Sequence, residues 1–208
     1  WYSTDGSSWT QATSPGFSAR SGHALVVFDN KMWVLGGINA SNNYLNDVWS
    51  TSDGSNWAQV TSSAGFSGRY RHKITVLNGK MWVMGGYTAG STCINGSVSD
   101  VWSSSDGSSW TQVTTSAGWK GGTNGCHRNS FGLVTFNDKL WVVGGYDGSQ
   151  YNDTWYSSDG SSWTQSLSNA SFSARHGHAV TVFDNKVWVI AGLVGGGRSN
   201  DVWYSSDP

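Results

Sequence analysis

Three separate signatures recur along this chain at one interval of about 50 residues, and such a period commits a sequence to stacked copies of one supersecondary unit. Asp-Val-Trp stands at Asp47 to Trp49, Asp100 to Trp102 and Asp201 to Trp203, with Asp153-Thr154-Trp155 as a close variant. Ser/Thr-x-Asp-Gly-Ser-x-Trp runs from Ser3 to Trp9, Thr51 to Trp57, Ser104 to Trp110 and Ser157 to Trp163. Apolar runs ending in glycine form the third series: Met32 to Gly37, Met81 to Gly86, Leu140 to Gly145, and Val187 to Gly192, where Ala191 replaces the first glycine. The repeats divide a single domain of residues 1–208 approximately as 1–49, 50–102, 103–155 and 156–208.

Each unit reads as four short strands. The segment from His23 to Phe28 ends in Asp29-Asn30-Lys31, and its equivalents end in Asn78-Gly79-Lys80, Asn137-Asp138-Lys139 and Asp184-Asn185-Lys186. Asn, Asp and Gly tolerate the positive φ of a two-residue hairpin turn. The next strand, such as Met32-Trp33-Val34-Leu35, is apolar on both faces, which suits a strand covered on both sides. The third strand carries Asp-Val-Trp, an Asp-Gly turn comes next, and the fourth carries Trp9, Trp57, Trp110 or Trp163. No segment has helical apolar spacing over a useful length. The expected class is all-β.

Arg20, Arg69, Arg128 and Arg175 before the first strand, a Gly-Gly after the second and Asp-Val-Trp in the third together resemble the kelch motif. The resemblance spans nearly the whole chain and implies a β-propeller of four-stranded blades around a central channel. Only four repeats are present, fewer than kelch propellers usually have. The Ser/Thr-x-Asp-Gly-Ser-x-Trp turn is similar to the Asp-box of sialidase-like propellers, where it stabilises a hairpin away from the active site. Trp1-Tyr2-Ser3-Thr4-Asp5 nearly duplicates Trp203-Tyr204-Ser205-Ser206-Asp207. In propellers of this kind a strand from one terminus completes the blade begun at the other, so the strand near Trp9 is expected to close a four-bladed ring with the strand carrying Trp203. The duplicate then peels away, or the chain is cut from a longer array, or chains join end to end. An isolated open arc is not expected, because it exposes strand edges.

Composition excludes several functions. A net charge of −1 provides no field for nucleic acid or an anionic membrane surface, and no apolar run is long enough for a membrane helix. The first residue is Trp1 rather than an initiator Met, which reads as a mature or excised piece. All 13 acidic residues are Asp, so a sialidase's Tyr–Glu nucleophile pair is missing. Nothing matches a galactose-oxidase-like copper site, and Gly195-Gly196-Gly197 lacks the Lys of a phosphate loop. No enzyme, cofactor or metal is expected.

The Arg series, with Asp47, Asp100, Asp153 and Asp201, reads as structural: a group present in every blade serves the blade, here by binding loop carbonyls or a neighbouring carboxylate. His23, His72 and His178 share a position that Phe131 fills in the third repeat, and they too read as structural. Thirteen of the 14 Trp fall at repeat positions and read as packing residues. Trp119 alone stands apart, in a Gly-rich insertion, either as a stacking platform or as a lid over its own loop. Cys93 and Cys126 sit in the two lengthened loops on one rim; a disulfide between them is expected, with two free thiols as the alternative, and it implies an oxidising compartment. Four Asn-x-Ser/Thr sites, at Asn39, Asn95, Asn152 and Asn169, are compatible with secretion.

Two function classes remain. The first is a secreted, extracellular binding module recognising glycan or protein through the rim of residues 38–46, 87–99, 117–127, 146–152 and 193–200, with Tyr44, Tyr87, Trp119, His127, Tyr146 and Tyr151 as contact residues. The second is a structural subunit of an extracellular assembly, self-associating through its duplicated terminal strands.

Overall fold

The computed structural model describes residues 1–89, 96–119 and 127–208. Among these every regular element is a β-strand. Three complete blades run Ala24–Phe28, Lys31–Asn39, Tyr44–Thr51 and Ala58–Thr61; Lys73–Leu77, Lys80–Met84, Val101–Ser104 and Thr111–Thr114; and Gly132–Phe136, Lys139–Tyr146, Gln150–Ser157 and Thr164–Leu167. A fourth blade has Ala179–Phe183, Lys186–Val194 and Gly197–Ser205. Within each blade consecutive strands pair antiparallel.

The first two strands of each blade meet in a two-residue turn with both central residues at positive φ: Asp29 and Asn30, Asn78 and Gly79, Asn137 and Asp138, Asp184 and Asn185. Such turns match the twist of the flanking strands. The next irregularity is the Gly-Gly bulge. A Cβ on Gly36 would lie 2.9 Å from the Arg69 carbonyl oxygen of the next blade, and one on Gly144 would lie 3.0 Å from that of Arg175. In the fourth blade Ala191 takes this place at φ 57°.

The Asp-Gly turns are held by their own side chains. Asp106 Oδ1 accepts from the Ser108 and Ser109 amides at 2.8 and 2.9 Å, and Ser104 Oγ accepts from the Gly107 amide at 2.8 Å. The same bonds recur around Asp5, Asp53 and Asp159. They hold the carboxyl groups of Asp106 and Asp159 below the ordinary aspartate range, the Ser109 and Ser162 amides acting most strongly.

The core lies between blades. Trp33, Leu35 and Val48 of the first pack with Met81 and Val83 of the second. Trp82, Met84 and Val101 of the second pack with Leu140 and Val142 of the third. Val134, Phe136 and Trp141 of the third pack with Val187 of the fourth. The two end faces remain open: Leu25 and Val27 of the first blade are exposed, as are Phe183, Val202 and Tyr204 of the fourth.

The expected closure by the Trp9 segment is therefore not formed. Thr10 exchanges both backbone hydrogen bonds with Tyr2, at 2.9 Å each. This bridge sits where Tyr156 meets Thr164 in the third blade. The duplicated Trp1-Tyr2 wins because a local hairpin closes a far shorter loop than pairing with the strand carrying Trp203. The result is an arc of three full blades, with a three-stranded blade at one end and a two-strand remnant at the other.

Candidate binding surface at the axial mouth

Four ion-paired cradles position the surface. Arg20 holds Asp47 through two bonds of 2.7 and 2.9 Å, Arg69 holds Asp100 at 2.7 and 2.8 Å, and Arg175 holds Asp201 at 2.6 and 2.8 Å. Arg128 grips Asp153 in the same way. Each guanidinium also donates to a bulge carbonyl: Gly36, Gly85, Gly144 or Ala191. Each Asp accepts from the indole of the Trp two residues on, at 2.7 to 2.8 Å. Buried charges persist only when paired and hydrogen-bonded in this way. Burial alone would push Asp47 up, but Arg20 and Trp49 outweigh it and hold the carboxyl below its ordinary range.

Each cradle thereby fixes the three residues after its arginine at the start of an inner strand. The triplets are Ser21-Gly22-His23, Tyr70-Arg71-His72, Asn129-Ser130-Phe131 and His176-Gly177-His178. Their middle residues are all left-handed, with φ of 61°, 56°, 53° and 63°. Two hydrogen bonds link them across blades, from the Arg71 amide to the Gly22 carbonyl at 2.7 Å and from the Gly177 amide to the Ser130 carbonyl at 2.9 Å. Glycine adopts this conformation freely, whereas a side chain costs about 1 kcal/mol there. Arg71 is thus carried at a cost.

These residues converge on a mouth of about 280 Å³ lined by Gly22, His23, Arg71, His72, Lys73, Ser130, Gly177 and His178. No carboxylate belongs to this lining. Burial, then the Arg69 and His23 charges, pushes His72 down to about 3. Burial, then Arg175 and Lys73, pushes His178 down to about 4. Both imidazoles are neutral at pH 7, so the positive charge at the mouth belongs to Arg71 and to Lys73, whose pKa is lowered by burial. Beside the mouth runs a row of aromatic rings. Tyr44 lies 5.4 Å from Tyr70, Tyr70 lies 5.1 Å from Tyr87, and the Arg71 guanidinium sits 5.5 Å above Tyr70. Tyr146 stacks on His176 at 4.7 Å. Burial and the neighbouring Tyr70 raise the Tyr87 phenol.

The model of the KLHDC2/KLHL20/DRC7 Kelch-repeats domain matches residues 1–170, and the Kelch motif matches residues 174–204. The chain belongs to the kelch-repeat family. No curated protein matches it. Kelch repeats generally mediate protein binding, and kelch-repeat domains are typically interaction modules without catalysis. Among the described residues of this kelch array, no three His, Cys, Asp or Glu side chains cluster so as to hold a metal ion.

The kelch register also assigns the other expected contact residues. Trp119 is a correction: it is fully buried, and its ring lies 4.8 Å from Phe131 and 5.8 Å, edge-on, from Trp163. It fills the place held by Phe66 against Trp110 and by Phe17 against Trp57, each pair at 5.2 Å and nearly perpendicular. A fourth repeat series, Gly16-Phe17, Gly65-Phe66, Gly118-Trp119 and Ser171-Phe172, would have revealed it. Tyr151 is tied inward, its hydroxyl donating to Asp147 at 2.9 Å and its ring under Arg128 at 3.9 Å. His127 is held at its carbonyl by the Ser97 hydroxyl, at 2.6 Å, and lies 2.8 Å through Nδ1 from Ser99. Tyr44, Tyr87 and Tyr146 are half-buried and keep the ring contacts described above. Cys93 and Cys126 lie outside the described residues. Sequence reasoning missed Tyr70, Arg71 and Lys73; the signal was that near-identical repeats diverge immediately after each Arg.

Proposed function

We propose that this kelch array is a non-catalytic module that binds an acidic peptide segment of a protein partner at the axial mouth. The observation that carries the reading is the lining of that mouth: Arg71 and Lys73 stand among neutral histidines with no carboxylate, beside a row of tyrosines. A carboxylate entering there meets cationic donors in a partly desolvated site, and tyrosine rings supply contact area at low entropic cost. The Tyr44–Tyr70–Tyr87 row would also suit stacking against a sugar, the other ligand class the sequence admits. We further propose an extracellular setting, for which the two cysteines are the support.

Arg71→Gly tests the site with a built-in folding control. Gly22 and Gly177 occupy the equivalent left-handed positions at φ 61° and 63°, so the variant relieves backbone strain instead of creating it. Fluorescence polarisation against an array of acidic, neutral and basic peptides should show acidic peptides retained by the native chain and released by the variant, with an unchanged or higher melting temperature. Equal binding by the variant refutes the peptide site; binding of a glycan array alone transfers the row to sugars.

A further inference from the structure

The axial mouth gathers more basic groups than its packing uses. His23, His72 and His178 reach it from three blades, and Arg71 and Lys73 from one. Lys73 opens its inner strand opposite Met84, in the register where the other blades have Ala24, Gly132 and Ala179. Those blades fill the place with a small residue or none, so the strand itself has no need of a long side chain there. Among the described residues no carboxylate pairs with Lys73.

The two buried imidazoles are equally unpartnered. His72 is 3% and His178 6% exposed, and none of their ring nitrogens has a hydrogen-bond partner. Buried polar side chains normally have one. The charged and titratable groups that face His72 are Arg69, His23 and Lys73, and those that face His178 are Arg175, Lys73 and His176. His23 faces Arg20. Every one of these is basic. The cradle carboxylates Asp47, Asp100 and Asp201 are already taken by Arg20, Arg69 and Arg175. Burial, joined by like charge at the histidines, makes His23, His72, His178 and Lys73 hold their protons less firmly than the free side chains do.

We infer that the mouth takes up protons together with its acidic ligand, so that the complex is tightest in mild acid and loosens as pH rises. The inference rests on the peptide reading given above. A bound carboxylate brings the opposite charge that the site lacks, and it raises the pKa of a basic neighbour by about 1–3 units. It also gives the imidazole N–H groups an acceptor. A group whose pKa is higher in the complex than in the free protein binds protons as the complex forms. Its contribution to affinity is complete below the free value and is lost as pH climbs through the bound one.

Isothermal titration calorimetry with a capped tetra-aspartate peptide, at fixed ionic strength, tests this. The peptide carboxyl groups are ionised from about pH 6.5 to 8.5, so a proton exchanged in that range belongs to the protein. At about pH 6.5 the heats in PIPES and ACES, buffers of unequal ionisation enthalpy, should differ by the equivalent of about half a proton taken up or more. The dissociation constant should rise about tenfold from pH 6.5 to 8.5. Replacing His23, His72 and His178 together by Phe, the residue the third blade has at this position, should remove most of the uptake while the peptide still binds through Arg71 and Lys73. Binding with equal heats in both buffers and one dissociation constant across the range overturns this inference and leaves the peptide site standing. No binding at any pH overturns both. Undiminished uptake in the triple variant traces the protons to other groups and also overturns the inference. Should that variant fail to fold, the native chain in the two buffers decides alone.

Discussion

Replacing His72 by Phe should make this protein less sensitive to acid. The His72 ring is buried, neither nitrogen makes a hydrogen bond of good geometry, and its pKa is pushed down to about 3. In the unfolded chain the same residue takes up a proton near pH 6.5, the ordinary value. Between those values the unfolded state binds more protons than the folded one, so stability falls as pH falls. From pH 7.5 to 5.5 one such histidine removes about 1.4 kcal/mol of stability. His178, pushed down to about 4, removes a similar amount. The depressed aspartates act only at lower pH, where unfolded carboxyl groups begin to protonate, so the histidines control this window. Phe fits the slot because Phe131 already fills it in the third blade. A Cβ on Gly85 would lie 3.0 Å from Phe131 Cε1, and one on Gly36 would lie 3.0 Å from His72 Cε1. Urea denaturation at the two pH values should show His72→Phe losing about 1.4 kcal/mol less than the native chain, and the double variant with His178→Phe about 2.7 kcal/mol less. A native-like pH dependence in His72→Phe would mean that the buried ring takes up its proton as readily as in the unfolded chain, and the reasoning fails.

Three further outcomes are expected. Asp100→Ala leaves Arg69 buried and unpaired and should cost about 3–5 kcal/mol in thermal or urea denaturation, whereas Asp201→Ala should cost less, because Asp201 is 35% exposed against 13% for Asp100. Trp119→Ala should cost about 3–5 kcal/mol in the same assay and Trp119→Phe under about 1.5 kcal/mol, since Phe already serves this position elsewhere. Cys93 and Cys126 should resist alkylation in the intact protein until reductant is added, as read by mass; the Ser97–His127 bond already joins the segments that flank them.

The blades are legible in the sequence because each signal is chemical and appears several times. Asn and Asp at the hairpins, Gly-Gly at the bulge and Arg with Asp in the cradle state their geometry in their residue types. Trp119 misleads because its register is marked by a small residue before an aromatic ring, and Trp at a Phe position hides the match. Closure is not legible because Trp1-Tyr2 and Trp203-Tyr204 carry the same residues, and chain proximity, not residue identity, gives Thr10 to Tyr2. The mouth escapes for the opposite reason: Tyr70 and Arg71 obey no pattern, and their importance comes only from the cradle that aims them.

Because each apolar cluster straddles two blades, no blade owns the contacts that stabilise it. A blade cut out alone would lose both of its faces, so order spreads along the array from neighbour to neighbour, as in a one-dimensional chain of coupled units. The second and third blades are clamped from both sides, while the Tyr2–Thr10 hairpin and the strand Gly197–Ser205 are held from one. Local opening is therefore easiest where a strand is held from one side only. The mouth draws a triplet from every blade, so its outline exists only while the whole array is zipped, and a ligand that spans it fastens both ends at once.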